Sequence, residues 1–151
     1  PICMYELIKF FHLAAGVVWL GGMAVMIWAV RPTAIAMFDP PARLPFLAAV
    51  MARFFKLVAV CVAILLASGG AMLMGVDMAL APKGWHALLG IGLLMCLIFG
   101  HIYAGPFRKL KGALSQSDLP LAASQLAKIH PLMLLNFALG WLAVAAVLIW
   151  R

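Results

Sequence analysis

The chain reads as an all-α integral membrane protein, a bundle of four spanning helices, on three observations. Of its 151 residues, 68% are apolar and 10% charged, and the mean hydropathy is +1.16, which excludes an ordinary soluble domain. Four apolar runs, each long enough to cross a bilayer, alternate with short polar or proline-rich stretches. The basic residues divide unevenly between the two sets of connections. By length this is a single domain. The net charge of +7 is spread over short connections without interleaved aromatic residues, so the expected partner is the lipid bilayer and not nucleic acid.

The first helix is expected over 5–30, ended by Arg31 and Pro32. Four of the nine prolines, Pro32, Pro40, Pro41 and Pro45, then mark a loop. From Leu44 the pattern turns amphipathic, with Arg53 and Lys56 on a polar face, and is charge-free from Leu57 to Val76; the second span is 46–76. A short loop, 77–84, leads to the third span, 85–107. Its 23 residues, WHALLGIGLLMCLIFGHIYAGPF, contain no Asp, Glu, Lys or Arg, and Arg108, Lys109 and Lys111 stop it. Asp118 and Pro120 form an N-cap and first-turn pair opening a short amphipathic helix over 119–129. That helix runs into the fourth span, 131–150, with a kink at Pro131. No internal repeat stands out. No cleavable signal peptide is expected, because the first apolar run is too long and lacks a charged leader and an A-x-A site.

Eight basic residues flank the first and third connections: Arg31, Arg43, Arg53, Lys56, Arg108, Lys109, Lys111 and Lys128. Only Lys9, Lys83 and Arg151 lie opposite. A bacterial-type inner membrane protein with both termini outside is the expectation. Trp85 and Trp150 then fall at the outer interface.

The four histidines carry the chemistry. His86 and His101 share one broad face of the third helix, about 22 Å apart along its axis. The stripe joining them is His86, Gly90, Leu93, Leu97, His101, Ala104 and Arg108. Ionisable side chains in a membrane helix are expected to face the bundle interior. With the inferred topology, His12 and His86 lie toward the outer side, His101 and His130 toward the cytoplasm. Each pair is a candidate bis-His set for a b-type haem, one or two per chain, as in bundles that hold cofactors between facing helices. Arg53, Lys56, Arg108 and Lys109 are candidates to pair with the inner propionates. Electron transfer across the membrane to or from a quinone or small redox protein would follow, so a haem-dependent oxidoreductase is one expectation. Each histidine also has a plain structural reading, interfacial for His86 and for His130, whose backbone precedes Pro131.

Methionines offer a rival chemistry, since thioethers suit Cu(I). Met72, Met74 and Met78 cluster at the outer end of the second helix, and Met23 and Met26 form an M-x-x-M on the first. The alternative function is therefore copper uptake or handling, with the outer histidines and Met72, Met74 and Met78 as ligands. A third is a cofactor-free subunit of a larger redox complex, or a homo-oligomer. The cysteines Cys3, Cys61 and Cys96 form no C-x-x-C and read as small packing residues.

The segment KFFHLAAGVVWLGGMAVMIWAVRP, Lys9 to Pro32, resembles the first helix of the CopD (copper resistance protein D) family through its histidine, W-L-G-G and terminal R-P. The last helix, HPLMLLNFALGWLAVAAV, is similar through N-x-x-L-G. This resemblance implies a small inner-membrane helical protein associated with copper. More distantly the chain is similar to HemJ-type haem-binding membrane proteins, in which His12 and His101 would match histidines of helices 1 and 3. It carries AVRPTAIAM where those proteins have L-P-R-L-x-x-Y-H.

Overall fold

A computed structural model describes residues 2–150; Arg151, counted above for topology, lies outside them. The chain is an all-α bundle of four long helices: α1 (Met4–Met37), α2 (Pro40–Leu73), α3 (Lys83–Ser115) and α4 (Leu119–Ile149). All four are long and apolar enough to cross a membrane, and we describe the chain as a multi-pass membrane protein.

Every helix is longer than the apolar pattern alone indicates, and proline ends none of them: Pro45, expected in a loop, lies inside α2, as Pro131 lies inside α4. Arg31 and Pro32 do not end α1. The helix passes through a π segment, Met26–Val30, and continues to Met37. Pro32 lacks an N–H and its ring crowds the carbonyl four residues back. The wider π turn directly before it accommodates both defects. The expected loop therefore shrinks to Phe38 and Asp39, and Pro40 and Pro41 occupy the first turn of α2, where no N–H is needed. In the same way α3 runs through Tyr103–Phe107, a π segment containing Pro106, and through Arg108, Lys109 and Lys111 to Ser115. Helix α4 is one continuous element from Leu119, with Pro131 inside it. At its start the Asp118 side chain accepts a hydrogen bond from the Leu121 N–H at 3.1 Å, as the capping pattern predicts.

The two halves share a plan that the residues themselves do not repeat. Each half is a helix carrying a five-residue π segment, then a connection of two or three residues, then a long helix with proline in its first turn. Arginine follows each π segment directly, Arg31 and Arg108. The basic residues thus gather at the end holding both short connections.

Within the bundle α1 packs on α2 and α3 on α4. Phe55 of α2 meets Phe99, Tyr103 and Phe107 of α3, the last with ring centroids 4.8 Å apart. Trp28 of α1 meets Phe137 of α4, and Trp19 meets Phe99. Beyond the apolar spans, the amphipathic end of α3 buries Leu110 and Ala113, and the start of α4 buries Ala122, Gln125 and Ile129. Of the four spans α3 is the least buried.

Candidate functional site

Three polar side chains are buried within the helices: Ser68, Gln125 and Asn136. Inside a membrane such groups must find partners in the protein. Ser68 Oγ donates its proton to the Ile64 carbonyl of its own helix, as serines in membrane helices do. The oxygen is then an acceptor, and His12 Nδ1 of α1 approaches it at 2.8 Å. The neutral ring consequently carries its proton on Nδ1, and Nε2 keeps its lone pair; this tautomer follows from the hydrogen-bond network. Orientation of one ring nitrogen by such a bond is how metal-ligating histidines are prepared. Around the half-buried ring the backbone is open. A Cβ on Gly69 would meet only His12, at 3.4 Å, and one on Gly16 or Gly70 would meet nothing within 4 Å.

His130, near the basic end, stands in different company. It lines a cavity of about 20 Å³ together with Met26 of α1, Met51 of α2 and Met133 of α4. Arg31 and Ile27, Leu47 and Leu126 complete the wall. The three methionines are each 5% exposed, so their sulfurs are removed from solvent. A second cavity, about 10 Å³, opens one helical turn further from the basic end. Trp19 and Met23, Phe54 and Phe55, Phe99, and Met133 and Asn136 line it, so all four helices contribute. Asn136 Nδ2 donates to the Met95 carbonyl at 3.1 Å, while its Oδ1 is buried without a partner. Volumes of this size hold one water or one ion.

The W-L-G-G segment of α1 and the N-x-x-L-G segment of α4 come together beside this second cavity. Trp19 and Asn136 both line it, Gly22 lies against Phe54, and Gly140 lies against Leu20 and Met95. A Cβ at Gly22 or Gly140 would collide with those neighbours, so both glycines serve close helix approach.

His86 and His101 do not face the interior as expected of intramembrane ionisable residues. All seven residues of their stripe are exposed. The reason is the opposite face of α3: Met95, Ile102, Phe107 and Leu110 are larger and more apolar, and they occupy the core. Burying those four side chains leaves the glycines and histidines outward. His101 is accompanied there by Gly105, whose Cβ would come within 3.8 Å of its ring.

The remaining candidates are dispersed. Arg108 and Lys109 are exposed at the basic end, while Arg53 and Lys56 are exposed farther along α2, about 20 and 24 Å from its first residue and level with the cavities. Met74 is 81% exposed, and Met72 and Met78 are half-buried, at the opposite end from His130. Cys3 is exposed, Cys61 buried and Cys96 half-buried, all as free thiols. Among the described residues no three or more of His, Cys, Asp and Glu form a group that could hold a metal ion. The sites here rest instead on methionine, serine and asparagine. No motif in the sequence marks Ser68, Met51 or Met133, and Asn136 stands out only through N-x-x-L-G; a polar residue inside an apolar span is the available signal for Ser68 and Asn136. Comparisons with family models, with curated proteins and with solved structures each return no match.

Proposed function

We propose that this chain handles copper within the membrane, holding Cu(I) in the cavity formed by His130, Met26, Met51 and Met133. The observation that carries the reading is the donor set itself. Three thioether side chains and one imidazole, from three different helices, line a single ion-sized space. Soft neutral donors of this kind select Cu(I) over the hard divalent cations. Arg31 on the wall opposes a cation, which suits a site of passage more than one of storage. On this reading the basic end faces the cytoplasm of a bacterial-type inner membrane, with both termini outside.

The test is Cu(I) competition between the purified full-length chain and a chromophoric chelator under anaerobic conditions. Retention should fall in Met51→Leu and Met26→Leu, which keep volume but remove sulfur. It should rise in Arg31→Gln, because the opposing charge is gone. An anion-binding cavity would behave in the reverse way, losing its ligand with Arg31, and that outcome would overturn the proposal.

A second reading, a b-type haem protein for electron transfer with a quinone or redox protein, is favoured by His12. Its Nε2 lone pair and the open glycines beside it suit an axial ligand. The interior cavities, of about 10 and 20 Å³, fit an ion and not a macrocycle. A haem on His12 would therefore lie against the outer face of α1 and α2, and the iron would supply reversible one-electron chemistry. A Soret band in the purified protein that is lost in His12→Ala supports this reading; colourless protein with bound copper supports the first.

A further inference from the structure

The M-x-x-M of α1 divides between the two cavities. Met26 lines the cavity of His130, and Met23, one turn away, lines the cavity of Asn136. Met133 lines both. The same one-turn step is taken on α2, from Met51 to Phe55, and on α4, from His130 and Met133 to Asn136. Because α1 and α2 run antiparallel, descending numbers on one and ascending numbers on the other move the same way along the bundle. The two cavities are thus successive levels of one interior line, and Met133 is the side chain common to both.

The second level is electron-rich. Its lining offers two thioethers, the unpartnered Oδ1 of Asn136 and the rings of Trp19, Phe54, Phe55 and Phe99. A buried acceptor left without a donor at the centre of a membrane bundle is costly, and a bound ion or water is the usual explanation. Aromatic rings attract cations and exclude water. We infer that Met23, Met133 and the Asn136 Oδ1 form a second Cu(I) station, and that Met133 hands the ion between this station and the one at His130. The inference rests on the copper reading and extends it from a site to a path. In the exchange, the Cu–S bonds to Met26 and Met51 and the Cu–N bond to His130 break. Bonds to Met23 sulfur and the Asn136 oxygen form, while the bond to Met133 persists. Copper remains Cu(I) throughout, and no proton moves. With one oxygen among its donors the central station is the weaker of the two.

The experiment is an anaerobic Cu(I) titration of the full chain in detergent, followed by chelator competition. Two equivalents per chain are expected, a weak one at Met23, Asn136 and Met133 and a tight one that keeps His130, Met26 and Met51 once Met133 has turned to the second level. Met23→Leu should abolish the weak one alone, and Met26→Leu should weaken the tight one alone, by about tenfold or more. Met133→Leu should weaken both, and Asn136→Leu should weaken the weak one alone by removing its oxygen. X-ray absorption of the wild-type chain provides a check that needs no variant: the sulfur count per copper should fall between one and two equivalents. A single equivalent that responds to Met26→Leu and ignores Met23→Leu overturns the path and leaves the copper reading standing. No retained Cu(I) at all overturns both.

Discussion

Ser68 decides what His12 can do. Its hydroxyl accepts a hydrogen bond from the ring Nδ1–H and donates one to the Ile64 carbonyl, so one small side chain fixes the tautomer of an imidazole on another helix. Ser68→Ala removes this acceptor from a partly buried Nδ1–H. The expected cost is about 1–3 kcal/mol in reversible unfolding from detergent. A second readout separates tautomer from stability: the ¹⁵N shifts of the His12 ring should move from a single Nδ1–H form to a mixture. Unchanged ring shifts in that variant would show that Ser68 does not set the tautomer. At this scale sequence reading was half-sighted. It singled out the four histidines because titratable groups are conspicuous among apolar ones. It could not see that His12 meets Ser68, 56 positions away, or that His130 meets methionines of three helices, because such contacts are set by packing.

The helices themselves were legible, and their ends were not. The span of α3 follows from 23 uncharged residues, and the cap at Asp118 from its place before Pro120. Both proline-rich boundaries misled, because proline does not by itself end a helix that tertiary packing holds on both sides, as Pro45 and Pro131 inside α2 and α4 show. A π segment before Pro32, another around Pro106 and first-turn positions for Pro40 and Pro41 let the helices run on. The facing of α3 also escaped the pattern: its histidine stripe and the face of Met95, Ile102, Phe107 and Leu110 are both long, and only packing decides which turns inward. One element-level contact is tight enough to test. At the start of α3 the Gly84 N–H donates to the Trp150 carbonyl at 2.9 Å. A Cβ there would press on the Ala146 carbonyl oxygen and come within 2.6 Å of the Trp150 oxygen. These are backbone atoms and cannot swing aside. Gly84→Ala should therefore separate the ends of α3 and α4 and lower the thermal midpoint in detergent, whereas Gly90→Ala, with nothing within 4 Å, should not. Equal midpoints for the two variants would count against this packing.

For the molecule as a whole the charge asymmetry makes the firmest prediction. Eight basic residues lie on the short-connection side of the charge-free runs, and a reporter fused after Lys111 should read cytoplasmic. A periplasmic reading would reverse the direction assigned to the line of cavities. The bundle class was legible because composition and run length force it. The shared plan of the two halves was not, because it lies in helix lengths and break positions, not in repeated residues.

That plan has a mechanical corollary. Connections of two and three residues clamp α1 to α2 and α3 to α4, so each hairpin behaves as a stiff leaf. The nine residues of 74–82, which include Gly75 in a left-handed conformation, are the only long joint between the leaves, in the manner of a book's spine. Both cavities are bounded by side chains from each leaf, so they lie along the gutter of that book. A slight parting of the pages, against the Trp19–Phe99, Trp28–Phe137 and Phe55–Phe107 contacts between them, would uncover the methionine line and leave every helix intact.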